Sequence, residues 1–278
     1  MLKNLAALMV LTAVCISVSF ADEKQAVNGQ AAQESSAKPD SRTNLEKLAD
    51  PDPVVRRNAV IYLGAEKKKE NFDVLTKMLD DTDIEVRRSA VNALSASGDP
   101  RAASILIEKF KTEGNTNVRI NIVAALGELR SRTAVDTLKS LLKDSYPAFR
   151  NEAVRALGNI NAAETYPQIV SMLGDEAEGV RVMAADTVAK LGIRSAVPEL
   201  QKNLEHPVAV VRRSAADALG VVGDSTALQK LEKLIKDTDQ SVSRAAKNAI
   251  DKIQQRAAAE KKNLDQKPAP QAQGQIKK

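Results

Sequence analysis

Side chains that commonly carry out chemistry are scarce in this sequence. His206 is its one histidine and precedes Pro207. A metal site would therefore depend on carboxylates, and no metal-ligand spacing appears. The sequence lacks the glycine-rich motifs that bind phosphates and dinucleotides, and it lacks the nucleophile motif of hydrolases. We therefore expect a protein that is not an enzyme and has no cofactor or metal, with His206 in a surface turn.

Arginine is the polar residue with the clearest pattern. An apolar residue followed by Arg recurs every 31 residues, with one interval of 32. Such a row could bind anions, or each arginine could pair with an acidic residue of its own or an adjacent repeat. Acidic residues recur in step, so we expect pairing. We name these six residues the arginine ladder: Arg56, Arg87, Arg119, Arg150, Arg181 and Arg212.

The residues that follow each ladder arginine predict two helices per repeat. Small or aliphatic residues recur three and seven positions on, as at Ala90 and Leu94, and this spacing places them on one helix face. A second apolar stripe follows, as at Leu75 and Leu79. One helix pair cannot bury both stripes, so successive pairs must stack on each other. Glycines follow the first stripe where we expect the first helix to end: Gly64, Gly127, Gly158 and Gly220.

The repeat resembles a known family. Its pattern Asp-x-x-x-Val-Arg-x-x-Ala-x-x-x-Leu-Gly, seen most fully over residues 83–94 and 211–220, is similar to the short HEAT repeats called PBS-lyase HEAT-like repeats. The resemblance covers about residues 43–258. It implies an all-α fold, a right-handed α-solenoid of about six to seven HEAT-like helix pairs. Such repeats occur in phycobilin lyases, in enzyme-maturation factors and in scaffolds.

The same resemblance implies where a partner would bind. In HEAT solenoids the second helices line the concave face, and their polar residues meet partners. We expect a monomer that uses this face to bind a protein of unknown identity. The candidate partner-binding residues are Lys139, Ser140, Lys143, Gln168, Lys202, Lys230 and Lys233.

The N-terminal residues indicate export. Lys3 precedes an uncharged apolar run over residues 5–20, and Ala21 follows at a position suited to cleavage. We predict a signal peptide over residues 1–21, although its retention as an anchor stays open. No second stretch is long and apolar enough to span a membrane. Cleavage would also remove Cys15, the one cysteine. We expect the protein in the bacterial periplasm or envelope.

Composition separates the repeats from their flanks. Residues 22–42 and 259–278 are low in complexity, and we predict a disordered linker and a disordered tail. Much of the net charge of +5 lies in the tail. A nearly neutral body with few aromatic residues argues against binding nucleic acid. We therefore predict an exported, non-catalytic protein-binding scaffold. The alternative is an accessory chaperone or maturation subunit for an exported enzyme.

Overall fold

The computed structural model describes residues 40–265, with side chains to residue 263. The chain divides into two units, residues 1–42 and 43–278, and only the last three residues of the first unit are described. The regular elements of the described residues are α-helices and short 3-10 turns, which confirms the predicted all-α fold. The predicted signal peptide, the linker up to residue 39 and the tail beyond residue 265 lie outside the described residues.

Two kinds of helix alternate along the second unit. The first helices of the repeats are α2 Pro53–Ala65, α4 Ile84–Ser97, α6 Thr116–Glu128, α8 Pro147–Ile160, α10 Glu178–Leu191, α12 Ala209–Val222 and α14 Gln240–Asp265. The second helices are α1 Asn44–Lys47, α3 Phe72–Lys77, α5 Arg101–Thr112, α7 Val135–Leu141, α9 Tyr166–Ser171, α11 Val197–Asn203 and α13 Leu228–Leu234. Six complete pairs therefore lie between a single second helix, α1, and a single first helix, α14.

Local chemistry sets where several first helices begin and end. The side chains of Asp52, Asp83 and Asn115 accept hydrogen bonds from backbone N–H groups in the first turns of α2, α4 and α6. Such caps satisfy donors that have no partner within the helix. The helices α4 and α10 end at Gly98 and Gly192, both with φ of 68°. Glycine adopts this left-handed conformation without the strain that a side chain would cause.

The two apolar stripes of each repeat meet in one continuous core. Ala90 and Leu94 of α4 are fully buried, as the three-and-seven spacing predicts. Each residue of the second stripe that is equivalent to Leu75 is at most 2% exposed: Leu75, Leu106, Leu138, Ile169, Leu200 and Leu231. Burial of both stripes requires the neighbouring repeat, so the stack itself stabilises the individual helices.

Four glycines lie in the last turn of the first helices, second or third from the end: Gly64, Gly127, Gly158 and Gly220. A Cβ atom on Gly127 would lie 2.6 Å from the Cα atom of Ala156 in the next first helix. A Cβ atom on Gly158 would lie 2.6 Å from a methyl group of Thr187. The helices therefore end within two residues of these glycines, as predicted, and the residues are also small enough to let successive first helices approach closely.

The last helix closes the stack and is longer than predicted. Arg256 of α14 donates hydrogen bonds to the carbonyls of Gly220, Val221 and Gly223 at 3.1, 2.8 and 2.6 Å. These bonds satisfy acceptors at the C-terminal end of α12. The helix α14 runs to Asp265, so the predicted tail start at residue 259 comes seven residues too early. Residues 257–262, Ala-Ala-Ala-Glu-Lys-Lys, are strong helix formers, which explains the extension.

Candidate functional site

Four of the six ladder arginines pair with a carboxylate of the next turn. The Nε and Nη2 atoms of Arg56 lie 2.7 and 2.8 Å from the two carboxylate oxygens of Asp81. The Nη1 atom of Arg56 donates to the carbonyls of Asp50 and Pro51. Each such arginine therefore links the turn before its own helix to the turn after the following second helix. The other three pairs are Arg87–Glu113, Arg150–Asp175 and Arg212–Asp237.

The ladder carboxylates also hold the turns that carry them. Asp175 accepts the N–H of Ala177 at 2.9 Å in addition to its two bonds from Arg150. Burial opposes ionisation of Asp175, but the hydrogen bonds from Arg150 and Ala177 outweigh burial and lower the pKa of this carboxyl. The pKa is lowered in the same direction at Asp81, Glu113 and Asp237. These arginines are therefore neutralised inside the molecule.

Arg181 lacks a ladder carboxylate because His206 occupies that position. Its Nη1 atom donates to the side-chain oxygen of Asn203 at 2.8 Å and to the carbonyl of Leu173 at 3.2 Å. The Nδ1 atom of His206 accepts the N–H of Val208 at 3.1 Å, as the ladder carboxylates do in their turns. The neutral side chain of Asn203 thus takes the place of the expected acidic partner of Arg181. His206 lies in a turn, where its bond to the backbone is structural.

Arg119 is the second exception to the expected pairing. Asp144 lies in the register of the other ladder acids, yet no hydrogen bond joins the two side chains. The guanidinium carbon of Arg119 lies 4.4 Å from the ring centre of Phe110 and 5.0 Å from that of Phe149. Its Nε atom is buried and has no polar partner in the described part of the chain. At Arg119, aromatic contacts have replaced the charge pair.

The surface beside Arg119 has a feature that sequence reasoning missed. Tyr146 is 53% exposed, and its ring lies 6.1 Å from that of Phe149, edge to face. An open pocket of about 400 Å³ is lined by Ile120 and Pro147, the residues that directly follow Arg119 and Tyr146 in the sequence. The sequence offers no signal for this cluster, because its rings come from separate repeats and meet only through packing. The pocket is lined chiefly by Ile120, Pro147, Ala148, Ala177, Gly179 and Val180.

The predicted partner-binding residues all lie at the surface of the second helices or directly after them. None of the seven is buried: Lys139, Ser140, Lys143, Gln168, Lys202, Lys230 and Lys233. Lys139, Lys202 and Lys230 form ion pairs with carboxylates at 3.9, 2.7 and 2.8 Å. Lys143 and Lys233 are exposed and make no ion pair within the described part of the chain. We name these seven residues the second-helix surface.

Metal-binding clusters and membrane-spanning helices are both absent from the described residues. Between residues 40 and 265, no three His, Cys, Asp or Glu side chains are grouped so that they could hold a metal ion. No helix in that range is both long enough and apolar enough to cross a bilayer. The chemical features of this part of the chain are therefore its ion pairs, its aromatic and arginine cluster and its exposed lysines.

Comparison with known proteins identifies one family. The sequence model described as HEAT repeats matches residues 41–113, 105–185 and 166–251. The solved structure of YibA from Escherichia coli is 25% identical, with a TM-score of 0.56, and the match covers 77% of this chain and 80% of that one. The complex of CpcE and CpcF of phycocyanin lyase from Nostoc sp. PCC7120 includes a chain that is 22% identical, with a TM-score of 0.49 and coverage of 80% and 98%. Human deoxyhypusine hydroxylase is 23% identical, with a TM-score of 0.41 and coverage of 75% and 82%. No curated protein matches the sequence.

Proposed function

This chain belongs to the HEAT-repeat family, and we propose that it is a non-catalytic scaffold that binds a protein through its second-helix surface. A HEAT-repeat fold suits protein–protein interaction because stacked repeats offer an extended binding surface. The observation that carries the proposal is the pair of exposed lysines, Lys143 and Lys233, on a surface that stacking leaves uncovered. The paired ladder arginines, by contrast, are occupied within the fold.

The proposal places the scaffold outside the cytoplasm. Its support is the sequence of residues 1–21, in which Lys3 precedes an uncharged apolar run that ends near Ala21. After cleavage there, the protein would contain no cysteine, so packing and ion pairs would have to stabilise it without disulfides. Cell fractionation, together with N-terminal sequencing of the mature protein, tests this part. Recovery of the uncleaved chain from the cytosol would refute export.

Site-specific crosslinking tests the binding surface. A photoreactive residue is placed at Lys143 or Lys233 of the full chain, and at Lys247 on α14 as the matched exposed control. We expect one defined partner at the first two positions and none at the third. With the photoreactive residue at Lys143, Lys233→Glu should weaken that crosslink, and with it at Lys233, Lys143→Glu should do the same, while Lys247→Glu should leave either crosslink unchanged. Equal crosslinking at all three positions would contradict the proposal.

The identity of the crosslinked protein separates the scaffold from the alternative function. A cofactor-bearing exported enzyme that depends on this chain for activity would indicate a maturation subunit. A partner whose activity does not change would favour the scaffold. In either case we expect the purified chain alone to turn over no substrate, because no catalytic group has been placed at the second-helix surface.

A further inference from the structure

We propose that Arg119, Tyr146 and the adjoining pocket form a second docking site, which takes a carboxylate side chain of another protein followed by an aliphatic side chain. The proposal rests on the proposed function only in assuming a protein partner, since it uses a different surface. Arg119 and Tyr146 lie at the starts of first helices, whereas the second-helix surface lies on α7, α9, α11 and α13.

The ladder itself identifies the missing ligand. At four other positions, the guanidinium group binds both oxygens of one carboxylate, at 2.8 Å for each bond in Arg150–Asp175. Paired parallel bonds of this kind are among the strongest that arginine makes. Arg119 stands at the same repeat position, but none of its guanidinium nitrogens has an acceptor within residues 40–265. A carboxylate is therefore the group for which this position is suited, and because the Nε atom is buried, a carboxylate from outside would bind to the Nη atoms.

The neighbouring aromatic rings keep that position open. Phe110 and Phe149 are both buried and contact each other edge to face, with ring centres 6.2 Å apart. The guanidinium of Arg119 lies over the faces of both rings and forms cation–π contacts with them. Such contacts leave the outer N–H groups of the guanidinium able to donate in its own plane. Asp144 does not take these donors, and its carboxylate accepts the N–H of Tyr146 at 2.8 Å instead.

The pocket adds an apolar contact beside the charge. Three of its lining side chains are polar: Asn151 donates to the carbonyl of Gly179 at 2.9 Å, Glu152 pairs with Arg155, and Glu178 is exposed to solvent. The other lining residues are apolar or glycine, and Gly179 leaves room that a side chain would otherwise fill. Ile120 and Pro147 of the lining directly follow Arg119 and Tyr146 in sequence. A short acidic and aliphatic segment could therefore reach both parts of the site.

The residue types match those that dominate binding energy at protein interfaces. Arginine and tyrosine are enriched among such residues, particularly where neighbouring side chains exclude water. Tyr146 is half exposed although it lies against Phe149, so a partner could still bury much of its ring. Nothing within residues 40–265 provides this gain, because the described repeats leave Tyr146 half exposed.

Nuclear magnetic resonance of the arginine Nε–Hε groups in the full chain tests the site. The probe is the capped peptide acetyl-Asp-Leu-Leu-amide, and the control probe is acetyl-Asn-Leu-Leu-amide, which has the same shape without the charge. We expect the aspartate peptide alone to shift the Arg119 Nε–Hε signal saturably. Arg119→Gln should weaken binding about tenfold or more, since it removes the paired charged bonds. Absence of a saturable shift with the aspartate peptide would overturn the proposal.

Two further variants decide between this site and its alternatives. If Asp144 filled the site from within, Asp144→Asn would destabilise the fold as much as Asp175→Asn does, and the proposal would be wrong. We expect Asp144→Asn to leave both stability and peptide binding nearly unchanged. Lys143→Glu with Lys233→Glu should also leave peptide binding unchanged. Weakened crosslinking after Lys143→Glu or Lys233→Glu, with peptide binding retained in the double variant, would show that the two surfaces act independently.

Discussion

Arg150 and Arg119 occupy the same position in successive repeats, but their guanidinium groups are stabilised differently. Arg150 and Asp175 form a pair whose side chains are only 7% and 6% exposed. We expect Arg150→Ala to lower the free energy of unfolding by about 3 kcal/mol, because it leaves a buried carboxylate without its partner. Arg119→Ala removes only ring contacts and packing, so we expect a loss of about 1 kcal/mol. Equilibrium unfolding in urea measures both losses.

An exposed pair provides the control for this comparison. Arg88 pairs with Glu85 on the surface of α4, with side chains 43% and 52% exposed. Exposed pairs contribute little because water screens them, so Arg88→Ala should change stability by less than about 1 kcal/mol. If Arg119→Ala destabilised the protein as much as Arg150→Ala, the guanidinium of Arg119 would have a strong partner inside the fold. That result would also weaken the proposed docking site.

At the residue scale, spacing predicted the ladder but not its exceptions. The exception at Arg181 can be inferred from the sequence, because His206 stands where the other repeats place an acid. The exception at Arg119 cannot, because Asp144 is present in the correct register. Which partner Arg119 takes depends on how the rings of Phe110 and Phe149 pack around it. Ring packing is a three-dimensional property that one sequence does not display.

Gly127 provides a test of how successive first helices pack. A Cβ atom at this position would lie 2.6 Å from backbone atoms of Ala156, which cannot move aside without shifting α8. We expect Gly127→Ala to destabilise the fold by about 1 to 2 kcal/mol, since overpacking costs more than the better helix propensity of alanine returns. Thermal unfolding followed by circular dichroism measures the change.

Gly114 serves as the matched glycine, because a Cβ atom there would meet no atom within 4 Å and its backbone needs no left-handed conformation. Gly114→Ala should leave stability unchanged or raise it slightly, since alanine restricts the unfolded chain. If the Gly127 and Gly114 variants melted alike, close packing of the first helices would not be the reason for small residues there.

At the element scale, the sequence predicted the helices and also the ends of the four first helices that carry a glycine. The three-and-four spacing of apolar residues located both helices of each repeat, because that spacing follows directly from helix geometry. Gly127 shows what the sequence left open. A glycine can mark a helix end or admit a neighbouring helix, and the sequence alone did not show that Gly127 also does the second. The end of α14 was predicted too early, because local helix propensity outweighed low complexity there.

For the molecule as a whole, the repeat explains both the fold and the limited information about the site. Each repeat completes its core with its neighbours, so a period of 31 residues was enough to predict a stack. The same repetition makes every position appear structural. The second-helix surface was therefore inferred from the family resemblance, and the cluster at Arg119 emerged only from the contacts. Departures from the repeat pattern are where function is best sought in such a chain.

The stack as a whole should lose stability in acid. Hydrogen bonds from the ladder arginines and backbone amides lower the pKa values of the carboxyls of Asp81, Glu113, Asp175 and Asp237 below those of the unfolded chain. A carboxyl of this kind stabilises the fold above its unfolded pKa of about 4, and that contribution is lost as the pH falls through its folded pKa. For these four carboxyls we expect a constant contribution to the free energy of unfolding from about pH 7 to 5 and a decline below about pH 5, whereas Asp186 and Asp217, whose pKa values burial raises, contribute in the opposite direction. Urea unfolding at several pH values measures the decline.

The substitution Arg212→Gln should make this decline shallower, because Asp237 then titrates closer to its unfolded pKa. An unchanged slope in Arg212→Gln would mean that the ladder does not link this fold to pH.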